Sequence, residues 1–145
     1  MFCILPETLI ENAWKLSLKI ISIDDKIVSE SYLTKLEKIA LTKNIDFYCI
    51  NFDEHESLKK TLLLPNNRAA ISAIEKSNKP TIVLFKNINV LVKESNIEIF
   101  WLRSTITTQL DDNLVCIFYA SKFSIESLFN DESSPFYHSN INIMR

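Results

Sequence analysis

A run of five apolar or β-branched residues, Thr81–Phe85, is the feature that most constrains the fold of this chain. Pro80 precedes the run and disfavours helix just before it, and the polar pair Lys86 and Asn87 ends it. An apolar run bounded in this way is typical of a strand buried on both faces of a parallel sheet. We therefore expect Thr81–Phe85 to be the central strand of a sheet. Lys86 and Asn87 would then lie at the edge where open α/β sheets bind ligands.

Segments with helical spacing alternate with strand-like segments along the rest of the chain. The predicted helices are Glu7–Ser17, one capped by Ser29 or Ser31 that ends near Thr42–Asn44, a short one over Asp53–Leu62, Arg68–Ser77, Ser95–Leu110 and Ser124–Phe129. The other predicted strands are Leu18–Ile23, Ile45–Phe52, Leu114–Tyr119 and Ile141–Ile143. This alternation predicts right-handed crossovers and a three-layer α/β fold with a mainly parallel five-stranded sheet. The length of 145 residues fits one α/β domain over residues 1–145.

Charge and the amino-terminal sequence argue against two classes of partner. The net charge of -2 creates no broad basic field, so we expect no nucleic-acid binding. The apolar run in Met1–Glu7 is too short for a signal peptide or a membrane span, so we expect no membrane partner and a cytoplasmic protein. The cysteines Cys3, Cys49 and Cys116 are far apart in the sequence, which favours reduced, buried thiols.

The chain contains no glycine at all. Glycine permits left-handed backbone and the close approach of main-chain N–H groups to a ligand, so every phosphate-binding loop built on glycine is excluded. Metal binding is also disfavoured, because the two histidines, His55 and His138, are isolated in the sequence. We expect no cofactor and no metal.

Polar segments follow three of the predicted strands, and their order resembles that of a known family. Asp24–Ser31 lies between the first strand and a helix, Lys86 and Asn87 end a buried strand, and Ser121 follows another. From Leu18 to Ile143 this order and spacing resemble the core of P-loop NTPases in the AAA or STAND-like branch. In that family the first segment is the loop G-x-x-x-x-G-K-[ST], and the later buried strand ends in an Asp-Glu pair.

At several positions of the family's loop, this chain has a residue of a different chemical type. Asp24 and Ser29 lie at the glycine positions of the loop, and Glu30 lies at the position of the phosphate-binding lysine. Ser31 lies at the hydroxyl position and is the residue that keeps the family's chemistry. Because Glu30 and the aspartates would face phosphate groups, the resemblance implies that ordinary nucleotide binding is lost.

The residues at the other strand ends also differ from those that the family has at the same positions. Lys86 lies at the position of the magnesium-binding aspartate, Asn87 at that of the catalytic glutamate, and Ser121 at the polar end of the sensor strand. A lysine cannot supply the hard oxygen ligand that magnesium requires. We expect Lys86 to form an ion pair with Asp24 or Asp25 instead, which would close the ancestral site.

These positions predict a non-catalytic, pseudo-ATPase-like domain with no catalytic residue. It would serve as a protein-interaction or regulatory module with an unidentified protein partner, or it would be a remnant of a larger ATPase. One alternative is a weak, unconventional NTPase that uses Ser31 and Ser121. A serine nucleophile at Ser121 is disfavoured, because the chain lacks the glycines of a nucleophile elbow.

A second alternative is a redox-inactive thioredoxin-like domain, because Pro80–Asn87 is similar to the proline strand of thioredoxins. The family's C-x-x-C is missing from Asp24–Ser31, where it would be expected. Strand order separates the two families. A thioredoxin order pairs Thr81–Phe85 antiparallel with its successor, whereas a P-loop order places Leu114–Tyr119 between Thr81–Phe85 and Leu18–Ile23.

Three further apolar features could anchor either a core or a partner. Trp14 and Trp101 lie on the apolar faces of predicted helices, and exposure of either would indicate a partner surface. Phe129–Tyr137 would form a contact loop or pack beneath the sheet.

Overall fold

The computed structural model describes residues 5–52, 57–88, 91, 97–108, 113–137 and 141–142. The helices are α1 Pro6–Lys15, α2 Glu30–Thr42, α3 Leu58–Leu62, α4 Arg68–Glu75, α5 Ile97–Thr107 and α6 Lys122–Phe129. The strands are β1 Ile20–Asp24, β2 Asp46–Asn51, β3 Thr81–Lys86, β4 Leu114–Ala120 and β5 Ile141–Asn142. Within the described segments, no helix combines the length and hydrophobicity that crossing a bilayer requires. Cys3, His55, His138 and Ile143 lie outside the described residues.

The strands form a parallel sheet in the order β2-β3-β4-β1-β5. Four strands of five to seven residues make up its body, and β5 adds a two-residue pairing to β1. The predicted α/β class and the mainly parallel sheet are therefore confirmed. Parallel pairing of β3 with β4 also excludes the thioredoxin order, which requires antiparallel pairing at that position.

The prediction that Thr81–Phe85 is the central strand is wrong in one respect. Strand β3 is interior, but the middle position in the sheet belongs to β4, which pairs with β3 on one side and β1 on the other. All seven residues of β4 are buried, whereas Lys86 at the end of β3 is half-buried. Both strands are apolar throughout, so their hydrophobicity alone does not rank them within the sheet.

One face of the sheet is covered by α3, α4, α5 and α6, whose apolar side chains pack on alternate strand residues. Five phenylalanines form an aromatic cluster in this core: Phe52, Phe85, Phe118, Phe129 and Phe136. The rings of Phe85 and Phe118 stack with centroids 4.7 Å apart. Because Phe129 and Phe136 are fully buried, their part of the Phe129–Tyr137 segment packs beneath the sheet.

The other face is covered by α1 and α2, which meet each other and the sheet through Leu9, Ala13, Leu36 and Ala40. Helices therefore pack on both faces, as the alternating sequence pattern predicts. Trp14 is half-buried against this second core. Trp101 on α5 is exposed, as are its neighbour Phe100 and, on α6, Phe123.

In the described part of the chain, three residues take the left-handed backbone conformation that glycine would otherwise supply. Their φ angles are 53° at Ser17, 59° at Asn44 and 55° at Asn87. Asparagine tolerates this region better than most residues because its short side chain bonds locally. The glycine-free sequence therefore still makes tight turns, one of them directly after β3.

The cysteines do not share one environment. Cys116 in β4 is buried, as predicted, but Cys49 in β2 is exposed. The prediction of a buried Cys49 is wrong because β2 lies at the edge of the sheet, where a strand-like sequence does not guarantee burial.

Candidate functional site

The carboxyl ends of β1, β3 and β4 meet at one edge of the sheet. Asp24 at the end of β1 lies beside Ala120 of β4, and Lys86 at the end of β3 lies beside Tyr119 of β4. Parallel strands bring these ends together, so the sequence-predicted positions are neighbours in the fold. The site is the candidate ligand-binding edge of the domain.

The loop after β1 has consecutive N–H groups, at residues 25–28, that bond to the chain's own oxygens. Asp25 donates to the main-chain oxygen of Ala120 at 2.9 Å, and Lys26 donates to Oδ1 of Asp24 at 2.9 Å. The next two residues donate to the main-chain oxygen of Asp24 at 3.1 and 3.3 Å. A phosphate loop needs successive N–H groups that converge on the ligand. These four groups are instead used to close the turn.

Tyr119 fastens this loop to the middle strand. Its hydroxyl donates to the main-chain oxygen of Val28 at 2.7 Å and lies 3.5 Å from that of Asp25. Burial raises the pKa of Tyr119, and the carboxylates of Glu30, Asp25 and Asp24 raise it further. The neutral hydroxyl is thus favoured as a hydrogen-bond donor. Sequence reasoning counted Tyr119 as a buried strand residue and missed this contact.

Replacing Tyr119 by phenylalanine is expected to lower the free energy of unfolding by about 1–2 kcal/mol, because it leaves the buried oxygen of Val28 without its donor. Urea unfolding of the purified variant measures the change. Tyr48→Phe is the matched control, since the described part of the chain gives its hydroxyl no hydrogen bond. Equal effects of the two variants would show that the Tyr119 hydroxyl does not hold the loop.

Lys86 forms an ion pair with Glu30, with Nζ and Oε2 2.7 Å apart. The prediction that Lys86 pairs with Asp24 or Asp25 is therefore wrong. Asp24 already accepts a hydrogen bond from the N–H of Lys26, whereas Glu30 is the first residue of α2 and reaches across to β3. The side chain of Glu30 is 67% exposed, so the pair is worth about 0.2–1 kcal/mol.

Asn87 ties the end of β3 to the end of β2. Its Nδ2 donates to Oδ1 of Asn51 at 2.8 Å, while its own backbone is left-handed. An amide in this position supplies no negative charge and no proton-accepting carboxylate. Asn87 therefore serves the turn after β3 and is not placed to act as a base.

The three serines of the predicted site take part in local hydrogen bonds. Oγ of Ser29 and Oγ of Ser31 are 2.7 Å apart at the start of α2. Ser121 is the N-cap of α6, where its Oγ accepts from the N–H of Ser124 at 3.2 Å. A cap of this kind is a structural role that the sequence pattern also allows.

A cleft of about 310 Å³ lies beside the loop and the amino ends of α1 and α2. It is lined by Leu5, Pro6, Ile27, Val28, Ser29, Ser31, Tyr32 and Lys35. Ser29 and Ser31 of the predicted site line this cleft. Lys86, Asn87 and Ser121 are not among its described lining residues, so the cleft does not bring the two groups together. Among the described residues, no group of three or more His, Cys, Asp and Glu side chains could hold a metal ion.

Comparison with known proteins does not assign a family. No protein-family model matches the chain, and a search of curated proteins finds no significant match. The strand order and the geometry at the strand ends are therefore what indicate a function.

Proposed function

We propose that this chain is a degenerate P-loop NTPase-like core of the AAA or STAND-like type that neither binds nor hydrolyses nucleotides. In this proposal the domain acts through contacts with another protein, as an interaction or regulatory module or as the remnant of a larger ATPase. Catalysis is not part of its role.

The strand order supports this proposal. Strand β4 lies between β1 and β3, all three are parallel, and a helix follows the loop after β1. That order is the one the P-loop resemblance requires. The degenerate positions also come together at the carboxyl edge of the sheet, where such ATPases place their chemistry.

The observation that carries the proposal is the Glu30–Lys86 ion pair. In the family, a lysine binds phosphate at the first position and an aspartate holds magnesium at the second. Here the two charges are exchanged and neutralise each other across 2.7 Å. An acid therefore faces the place of the phosphates, and a cation occupies the place of the metal ligand.

The hydrogen bonds within the loop after β1 remove a further source of affinity for nucleotide phosphates. Glycine loops bind phosphate mainly through main-chain N–H groups, and those of residues 25–28 are bonded within the fold. Restoring charge alone at Glu30 and Lys86 would leave this geometry unchanged. The weak NTPase alternative has to work with Ser31 and Ser121, and both hydroxyls bond to neighbouring serines.

Exposed aromatic residues support a protein partner. Phe100 and Trp101 are adjacent on α5, with exposed fractions of 56% and 36%. Large apolar side chains on a surface mark interaction sites more often when they occur together than singly. If the proposal is right, another protein binds to the surface that includes Phe100 and Trp101.

Mg-ATP at millimolar concentration is expected to leave the melting temperature of the purified protein unchanged. A ligand bound only to the folded state at a thousand times its Kd would add about 4 kcal/mol, which a thermal melt detects easily. Ser31→Trp serves as the matched variant, because a bulky side chain there would block any residual site. A concentration-dependent rise in melting temperature that Ser31→Trp abolishes would overturn the proposal.

A further inference from the structure

Strand β2 forms an edge of the described sheet and has one neighbour, β3. The hydrogen bonds at its two ends show which of its residues bond to β3. Asp46 donates its N–H to the oxygen of Pro80 at 3.1 Å, and Phe52 donates to the oxygen of Lys86 at 3.1 Å. Because residues alternate along a strand, the even-numbered residues of β2 bond to β3. The main-chain groups of the odd-numbered residues point away from the sheet.

Phe47 and Cys49 therefore direct their N–H and C=O groups toward the open side of β2. Natural edge strands are normally protected by charges, prolines or bulges. The charged residue of β2 is Asp46 at its start, and Lys79 neutralises it at 3.1 Å. The outward stretch from Phe47 to Ile50 carries no charge. Within the described residues, β2 contains no proline, pairs with β3 without a bulge and has its one charged residue in an ion pair.

A groove of about 390 Å³ follows this edge on the side of α4. Asp46 and Tyr48 line it from the strand, and the small residues Ala69, Ser72 and Ala73 line it from the helix. Lys76 and Lys79 also line it and add positive charge. Tyr48 is half-buried, so part of its side chain is accessible to solvent. The groove has room for a second large side chain next to Tyr48.

The opposite side of the edge carries charged as well as apolar residues. Partial burial of its thiol raises the pKa of Cys49, Lys86 opposes this rise, and the carboxylates of Glu30 and Glu37 add to it. Helix α2 contacts β2 on this side. Leu41 lies one turn after Glu37 on the same helical face and is 58% exposed. Phe47 packs on this side against the core formed with α1 and α2.

We propose that β2 pairs antiparallel with β2 of a second copy of this chain, about a twofold axis at Tyr48. In this register Phe47 lies opposite Cys49 of the second copy, and these outward-pointing residues exchange both N–H···O bonds. The two Tyr48 residues form the non-hydrogen-bonded pair at the centre. The result is one continuous sheet across both copies. This pairing goes beyond the proposed function and does not depend on nucleotide binding.

The sequence of β2 is complementary to itself in this register, which is why a second copy is the occupant. Phe47 covers the small Cys49, and the central Tyr48 side chains meet in the groove beside α4. Asp46 lies opposite Ile50, so no like charges oppose each other directly. An isologous contact of this kind also closes on itself and leaves no further free edge at β2.

Cys49→Pro tests the pairing, because it removes an outward N–H and leaves the β2–β3 bonds in place. Light scattering and sedimentation should give twice the chain mass for the wild type and for the control Cys49→Ser. The proline variant should give the mass of one chain, with an unchanged circular dichroism spectrum. A monomeric wild type at high micromolar concentration, or a folded Cys49→Pro dimer, would overturn the proposal.

Cross-linking tests the register and decides the matter if Cys49→Pro does not fold. Tyr48→Cys, in a background with Cys3→Ser and Cys49→Ser, should form a disulfide-linked dimer on mild oxidation. The matched chain with Cys3→Ser alone should stay unlinked, because its Cys49 lies opposite Phe47. Linkage through Cys49 and not through position 48, or linkage through neither, would contradict the pairing proposed here.

Discussion

Val83→Asp is expected to unfold the domain. Val83 is fully buried in β3, between Tyr48 of β2 and Cys116 of β4. An aspartate there has no cation to pair with in the apolar core that surrounds it. Burying an unpaired carboxylate costs several kcal/mol, against a total stability of roughly 5–15 kcal/mol for a domain. Circular dichroism and a thermal melt of the purified variant measure the loss.

Leu63→Asp is the control for this substitution. Leu63 follows α3 and is 73% exposed, so the same new charge stays in water and should change stability by less than about 0.5 kcal/mol. A soluble Val83→Asp protein with the wild-type melting temperature would refute the interior position of β3. Equal losses in both variants would show that the added charge, and not its burial, causes the effect.

Phe118→Ala is expected to lower the free energy of unfolding by about 3–5 kcal/mol. Phe118 lies in the middle strand, and its ring contacts three others of the aromatic cluster. The centroid distances are 4.7 Å to Phe85, 5.3 Å to Phe129 and 5.6 Å to Phe136. Truncation removes all three contacts and leaves a cavity that three rings on separate segments cannot readily fill. Guanidinium unfolding measures the change.

Phe123→Ala separates this loss from the general effect of removing a ring. Phe123 is 75% exposed on α6, so its truncation should change stability by less than about 0.5 kcal/mol. A small effect at Phe118 would mean that the cluster is loosely packed. The packing of helices on this face of the sheet would then not depend on Phe118 of β4 as the ring contacts indicate.

Local sequence patterns predict the elements of this fold well, but they do not fix their order in the sheet. Periodicity places helices and strands because each residue's face follows from spacing along the chain. The positions of β3 and β4 depend on which neighbours they pair with, and two equally apolar runs carry no such information. The central position was therefore predicted for β3, whereas β4 occupies it.

The candidate site could be predicted as a neighbourhood but not as a set of contacts. Parallel strands bring Lys86 close to the loop after β1, and this much follows from the order of elements. The choice of Glu30 over Asp24 depends on how the turn bonds internally and on where α2 starts. The hydroxyl bond of Tyr119 to Val28 joins segments far apart in sequence, so no local pattern indicates it.

The sequence pattern also did not predict that Cys49, at the edge of the sheet, is exposed. Cys49 lies in a run of aromatic and β-branched residues that is typical of a buried strand. Its exposure follows from the place of β2 in the sheet, which non-local pairing decides. The pairing with a second copy that we propose therefore depends on the strand order and not on the sequence pattern of β2.

An NMR titration of the isotope-labelled protein with Mg-ATP tests most directly the claim that the strand ends no longer form a nucleotide site. The informative signals are the main-chain amides of residues 24–31 and those of Lys86, Asn87 and Ser121. We predict that these amides keep their chemical shifts up to millimolar Mg-ATP, because the N–H groups of residues 25–28 are bonded internally and Glu30 is paired with Lys86. Saturable shifts confined to these residues would contradict the account and show that the edge still binds nucleotide.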